Sequence, residues 1–437
     1  MAATLRVAIV GAGPSGFFLA EKLLGQTDRP VAVDLYERLP VPYGLVRFGV
    51  APDHEKIKAV TRSFDRVAAR PGFRFFGHVE IGRDISVDQL RQAYDAVAFT
   101  TGAQSDRRMG IPGEDLVNSH AATEFVAWYN GHPDFRDRHY NLDAENVAVV
   151  GVGNVAVDVA RILSRSPEEL APTDIADYAL EALRRSKVKH VYLLGRRGPA
   201  QAAFTTPEVK ELGELELADA VARPDEVALD PLSAARVAAD DDASIRRKLE
   251  VLTQFAARPP AGKPRRLTLR FLVSPTELID DGHGRVAAIR LANNRLVEKN
   301  GAIAAEPTGT VETIPVGLVF RSVGYKGTPI PGLPFDEKTG TIPNEGGRVA
   351  PGLYVAGWIK RGPNGVIGTN KPDAAATAEA ILSDCREPSA EPRVPSAEII
   401  DWPAWQRINA AETKLGQAGN RPRVKFTTIE AMLNAAR

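Results

Sequence analysis

Two glycine-rich turns, Gly11-Ala-Gly13-Pro14-Ser15-Gly16 and Gly151-Val-Gly153-Asn154-Val155-Ala156, stand about 140 residues apart in a chain of 437 residues. Glycine at this spacing lets backbone amides approach a diphosphate and opens a helix whose positive end faces it. Each turn follows an apolar run that reads as a buried parallel strand, Val7 to Val10 and Val147 to Val150, and each opens a helical pattern. The first copy continues into a strand from Val31 to Glu37, whose terminal acid lies about 20 residues past the last glycine, where a carboxylate accepts both ribose hydroxyls of an adenosine. That acid selects an unphosphorylated ribose, as in FAD or NAD. The second copy continues into Val188 to Gly195 and ends in Arg196-Arg197. A guanidinium pair there holds a 2'-phosphate by forked, charge-assisted contacts, so the second site reads as an NADP site. Glycines also serve ordinary tight turns, and arginine pairs also sit in solvated loops. The agreement of strand, turn, helix and second strand in both copies favours two bound dinucleotides.

The elements that must position these turns belong to an α/β protein with two Rossmann-like dinucleotide-binding domains, an FAD domain and an inserted NADP domain, in a glutathione-reductase-like architecture. The first unit runs to about Gly102 through a strand, Ala96 to Phe99, that ends in a glycine turn. A linker and a helix around Ala121 to Tyr129 lead to the second turn. A stretch from Asp219 to Pro264, rich in Ala, Asp and Pro, reads as an insertion with a surface helix around Ile245-Arg-Arg-Lys-Leu. Strands are expected at Arg266 to Val273 and Val286 to Leu291. Leu318 to Gly324 mirrors the earlier strand and reads as the return to the first domain. Another strand, Gly352 to Trp358, then feeds the loop from Gly362 to Asn370 and a helix near Ala374 to Ser383. The expected division is 1–105 with 330–437 for FAD, and 106–329 for NADP.

Lys and Arg together number 55 against 55 Asp and Glu, and no apolar run approaches 18 residues, so a soluble, cytoplasmic protein with no pull toward nucleic acid or a membrane span is expected. Met1 to Arg6 leads at once into the first strand, and no leader is expected before it. Cys385 is the only cysteine, which excludes a disulfide framework, a CxxC pair, an iron–sulfur cluster and a cysteine-based zinc site; no metal is expected. Electrons cannot pass to a dithiol within this chain.

Four longer stretches carry a more specific signal. Tyr43-Gly-Leu-Val-Arg-Phe-Gly-Val-Ala-Pro-Asp-His54, Gly153-Asn-Val-Ala-Val-Asp-Val-Ala-Arg161, Gly195-Arg-Arg-Gly-Pro-Ala-Gln-Ala-Ala-Phe-Thr205 and Gly357-Trp-Ile-Lys-Arg-Gly-Pro-Asn-Gly-Val-Ile-Gly-Thr-Asn370 closely resemble the adrenodoxin reductases and their bacterial ferredoxin-NADP reductase relatives. The resemblance covers nearly the whole chain. It implies an enzyme that binds FAD and NADPH and passes two electrons, one at a time, to a small iron–sulfur protein. The FAD contacts implied are the turn from Gly11 to Gly16 with Pro14 and Ser15, then Glu37, Arg38, Gly44, Leu45, Val79, Trp358, Gly365, Val366 and Ile367. The NADP contacts implied are Arg107, Gly153, Asn154, Val155, Ala156, Arg196, Arg197, Glu208 and Gly365. Arg107 is chosen over Arg108 by its distance from Ile111-Pro-Gly.

Hydride transfer belongs to such cofactors, and the protein stacks, tunes and shields them. His54 and Glu208 are the polar pair that the resemblance places near the nicotinamide, where they orient the carboxamide and support proton movement. The amides of Gly365 to Ile367 suit negative charge on the reduced flavin. Lys58, Arg62, Arg66 and Arg70 recur every four residues on the helix expected after His54, a drift of only about 40° per step, so they form one basic face on which an acidic ferredoxin could dock. A flavin monooxygenase shares the two nucleotide units but usually carries a His- and Trp-containing linker signature that is not visible here. A redox sensor without turnover is the remaining reading, and the retained His54, Glu208 and Arg196-Arg197 speak against it.

Overall fold

Apolar runs such as Leu5–Val10 bury both faces of a strand, which a sheet satisfies only when helices cover it on both sides. The computed structural model describes residues 4–240, 242–385 and 399–437 and forms two such units. The first takes the chain up to Ser105, then Asn130–Arg136 and Gly324–Arg437; the second takes Asp106–Tyr129 and Asp137–Val323.

The first unit holds a six-stranded sheet in the order Arg348–Ala350, Leu353–Val355, Ala96–Phe99, Leu5–Val10, Val31–Glu37 and Phe73–Gly77. Only the first pair is antiparallel. Pro14–Leu23 crosses between two of these strands, and its Phe17, Leu19, Ala20 and Leu23 share one core with Ala374, Ala378 and Ile381 of the helix Asn370–Asp384. A second helix, Trp402–Ala418, starts on Asp401, whose carboxylate accepts the Ala404 N–H at 2.8 Å. Its Trp405 and Ile408 are buried in the same core.

The second unit holds an all-parallel sheet in the order Ser119–Ala121, Leu318–Arg321, Asn146–Val150, His190–Leu194, Arg265–Arg270 and Ala218–Ala222. Beside it lies an antiparallel sheet of Val273–Asp280, Val286–Lys299 and Ala302–Pro315. Both units are Rossmann-like α/β domains.

Three local expectations need correction. The run Arg266 to Val273 is not one strand: it leaves the parallel sheet after Arg270, turns at Leu272 with φ +57, and enters the antiparallel sheet at Val273. The stretch from Asp219 to Pro264 is not a separate insertion, since it supplies most of the edge strand Ala218–Ala222; the surface helix expected at Ile245 is present as Ala243–Ala257, which packs through Lys248, Leu252 and Phe255. The basic helix after His54 is broken into Glu55–Lys58 and Thr61–Ala68, and Arg70 lies past its end, donating to the Glu21 carbonyl at 2.9 Å. Lys58, Arg62, Arg66 and Arg70 therefore do not share one regular helix face. Among the described residues no helix is long and apolar enough to cross a membrane.

Candidate functional site

In the first unit the glycine turn is built by its neighbours. Gly11 adopts φ +106, and a Cβ there would lie 2.9 Å from the Thr100 carbonyl carbon, so only glycine lets the turn pass under that strand end. Its N–H donates to Tyr36 O at 2.8 Å, and Thr100 Oγ1 donates to its carbonyl at 2.8 Å. Gly13 caps the helix Pro14–Leu23 without a side chain, and space where its Cβ would stand is open. A diphosphate can approach the helix start there. Glu37 Oε2 accepts the Ala12 N–H and Oε1 the Leu39 N–H, each at 3.1 Å. Burial raises the Glu37 carboxyl above its ordinary range, and the amides of Leu39 and Ala12 oppose the rise.

The Tyr43-Gly44 segment closes on this turn. Tyr43 N–H donates to Ala12 O at 2.8 Å, and a Cβ on Gly44 would lie 3.1 Å from Gly13 Cα. The Tyr43 hydroxyl donates to Asp65, and its ring meets Trp405 edge-on at 5.6 Å. Arg47 and Glu412, both buried, pair at 2.5 Å; Glu412 also accepts the Phe426 N–H at 2.8 Å, and the Arg47 guanidinium lies over the Trp405 ring. The helix Trp402–Ala418 thus clamps the segment that covers the turn.

On another side Ser15 Oγ donates to Asn370 Oδ1 at 3.1 Å, and Gly357 leaves room for that serine. Asn370 also accepts from Arg361 at 2.9 Å and donates to Ile367 O at 3.1 Å, which ties the helix start to the loop from Gly365 to Ile367. Trp358 Nε1 donates to Asn364 O at 3.2 Å. Among the described residues the amides of Gly365, Val366 and Ile367 have no hydrogen-bond partner. Leu45 and Val366 expose 45% and 53% of their surface. Val79 is buried, with its N–H on Glu37 O. Arg38 is engaged elsewhere, on Asp134 at 2.6 Å. His54 starts the short helix Glu55–Lys58 in this unit.

The second unit repeats the construction. Gly151, at φ +134, would place a Cβ 2.2 Å from Ser322 O; its N–H donates to Leu194 O at 2.9 Å; Gly153 again caps a helix, Asn154–Ser164, with open space at its Cβ. Ala156 is fully buried beneath the turn. Val152 O accepts from Ala203 and Phe204, and Asn154 Oδ1 accepts the Thr205 N–H at 2.8 Å, so the loop after Arg196-Arg197 is stitched onto the turn. Three successive carbonyls of that loop are pinned: Gly195 by Val273 N–H, Arg196 by Asn294 Nδ2 at 2.9 Å, and Arg197 by Leu272 N–H. The guanidinium-bearing side chains of Arg196 and Arg197 are exposed.

Glu208 is buried at the start of Thr206–Glu211 and faces the fully buried Arg161 at 3.3 Å; Arg161 also holds Asp158 at 2.6 Å. Arg108 is paired with Asp115 at 2.5 Å, while Arg107 is exposed. Sequence reasoning alone assigns no role to Asn370, Arg361, Arg161 or Asn294. The first three lie inside motifs already singled out; Asn294 carries no local signal and is found only through the bulge that aims it at Arg196.

Residues 5–202 match the pyridine nucleotide-disulphide oxidoreductase family. The chain is 45% identical to the NADPH-ferredoxin reductase FprA of Mycobacterium tuberculosis, with 98% of each covered, and 42% identical to the mitochondrial NADPH:adrenodoxin oxidoreductase of Bos taurus, with 98% of this chain and 92% of that one covered. The solved structure of M. tuberculosis FprA in complex with NADPH superposes with a TM-score of 0.94 at 44% identity, covering 99% of this chain and all of that one.

Proposed function

The chain belongs to the family of the NADPH-ferredoxin reductases and adrenodoxin oxidoreductases, and on that premise we propose that it passes electrons from NADPH, through bound FAD, to a ferredoxin. The observation that carries this reading is the contrast between two otherwise matched turns, one closed by Glu37 and the other by Arg196-Arg197. FAD, when bound, takes two electrons from NADPH and gives them up singly.

The residues of the first unit fit FAD. The Gly11–Gly16 turn offers an open diphosphate cradle at Gly13, Glu37 offers its carboxylate to the ribose, and Leu45 with Val366 offers apolar cover. The unpartnered amides of Gly365, Val366 and Ile367 suit a flavin edge that gains negative charge. Arg38 contributes through the loop it fixes to Asp134 and not through its own guanidinium. NADPH falls to the second unit: Gly153 and the amides after it take the diphosphate, Arg196 and Arg197 the 2'-phosphate, and Arg107 assists. In this reading the FAD domain is 1–105 with 330–437 and the NADP domain 106–329. Glu208, paired with Arg161, takes the role of orienting the nicotinamide carboxamide, and His54 that of supporting proton movement. The acidic partner docks on the basic stretch that holds Lys58, Arg62 and Arg66, with Arg70 as its anchored flank. On the likeness to the bacterial reductase the reaction is placed in the cytoplasm.

An anaerobic titration monitored by visible absorption tests the whole reading. A two-band flavin spectrum bleached far more readily by NADPH than by NADH, and recoloured by added ferredoxin, is the expected result. A colourless protein that takes up no FAD, or a flavin indifferent to NADPH, overturns it.

A further inference from the structure

Behind the arginine pair the second unit contains a cleft of about 250 Å³, lined by Arg197, Gln201, Ser233, Arg236, Asp240 and Ile303 among others. Its walls come from three places that the coenzyme turn does not itself include: the turn Pro199–Gln201, the helix Pro231–Ala239 and the start of the hairpin strand Ala302–Pro315. The helix is fixed at both levels. Asp230 caps it through the N–H groups of Leu232 and Ser233, and Ser233, 1% exposed, accepts from Gln201 Nε2 at 2.9 Å. One turn further along, Arg236 reaches the same cleft as Arg197.

Charge is unbalanced there. Among the described residues neither Arg197 nor Arg236 has an ion-pair partner, and the two line one cleft. The acid on the lining, Asp240, accepts the Asp242 N–H at 2.9 Å. Gln201 Oε1 is buried with no hydrogen-bond partner, an acceptor that asks for a donor. Two guanidiniums against the single carboxylate of Asp240, an orphaned amide oxygen and apolar walls suit a phosphorylated nucleoside: a phosphate for the cations, and a base with N–H groups for the amide.

We propose that Arg236 is a third cation of the 2'-phosphate subsite, acting with Arg196 and Arg197, and that it helps this chain choose NADPH over NADH. The inference rests on the NADPH reading of the second unit. A phosphomonoester carries nearly two negative charges at neutral pH and offers three acceptor oxygens, so a third guanidinium strengthens the positive field around it and adds a donor.

Calorimetric binding of 2',5'-ADP and 5'-AMP to the FAD-loaded protein tests it without turnover. Arg236 is exposed, so its replacement removes no core packing. The expected result is that Arg236→Ala weakens 2',5'-ADP roughly ten- to a hundredfold while 5'-AMP is unchanged, and that Arg236→Lys recovers part of the loss. An unchanged 2',5'-ADP affinity in Arg236→Ala, with the parent protein still preferring 2',5'-ADP to 5'-AMP, overturns the role of Arg236 alone. Equal weakening of both ligands also overturns it, as a disturbance of the cleft. A parent protein that binds the two ligands alike overturns the NADPH reading itself.

Discussion

The two nucleotide turns share one backbone plan and differ at its end. In each, the first glycine donates to the end of the second strand, to Tyr36 O or Leu194 O, and crosses beneath a third strand end, at Thr100 or Ser322. In each, the next residue gives its carbonyl to a later loop: Ala12 to Tyr43, Val152 to Ala203 and Phe204. The side chains at the end of the second strand are opposite in charge and in setting. Glu37 is held by two amides and pays for its burial with a raised pKa, whereas Arg196 and Arg197 project into solvent. The cradle serves any diphosphate, and discrimination rests on the few side chains at the strand end. Each unit has a buried ion pair behind its turn, but the first unit's Arg47–Glu412 pair joins positions 365 apart and locks Trp402–Ala418 onto the Tyr43 segment, whereas Arg161–Glu208 of the second joins positions 47 apart.

Breaking the brace has the largest expected effect. Glu412→Ala leaves Arg47 buried without its carboxylate, which costs about 3–5 kcal/mol. Chemical denaturation monitored by flavin fluorescence is expected to shift the transition of the first unit, while amide exchange in the core strands of the second unit stays unchanged. Next comes charge at the second turn: Arg196→Ala with Arg197→Ala removes two charge-assisted contacts, roughly a hundredfold or more in KM for NADPH with little change for NADH. Steady-state kinetics with both coenzymes sharpens or breaks the contrast.

At the first turn, Glu37→Gln is expected to lower FAD affinity about tenfold, read by flavin release on dilution. In the FAD-free protein the same change gives up one of the two amide contacts and removes the pH-dependent cost of burying a charge. A carboxyl whose folded pKa is raised keeps its proton in the folded state over a window where the unfolded chain has lost it, so stability falls as pH rises from the ordinary value of 4.5 toward the folded pKa. The gain from Glu37→Gln therefore grows with pH across that window and is absent below it, which urea midpoints between about pH 4 and pH 8 measure. The smallest effect belongs to the exposed basic stretch. Arg62→Glu with Arg66→Glu is expected to slow ferredoxin reduction severalfold at low salt and to leave NADPH-to-ferricyanide turnover intact; equal loss of both would remove this surface from the docking account.

Parallel strands are legible in the sequence because both of their faces are buried: Val31–Glu37 runs over the residues expected of it. The failures have local causes. The basic helix breaks at Ala59 and Val60, where no glycine or proline marks the change, and tertiary packing of Phe64 and Val67 decides the new axis. The long hairpin Val286–Lys299 with Ala302–Pro315 is anticipated only over Val286 to Leu291, although Asn300 and Gly301, at φ +53 and +74, are a turn signal that sequence does carry. Within the site, the strand-end acid and arginine pair are legible because their offset from the glycines is fixed by the fold. Arg161, Asn370 and Glu412 are not, because a buried polar group reveals its purpose only through partners distant in sequence, as with Arg47 and Glu412, 365 positions apart, and Ser15 and Asn370, 355 apart.

The brace also sets a timetable. A ribosome that has delivered Val323 has delivered every strand of the second unit, while the first still lacks Leu353–Val355 and the helix Trp402–Ala418. During synthesis the later-numbered unit is therefore the first that can fold, and the brace waits for Glu412, about 90 residues after Val323, or roughly four to eighteen seconds at ordinary elongation rates. Any nascent chain stalled before Glu412 would carry a finished coenzyme module and an open flavin loop, a species for chaperones and proteases to find.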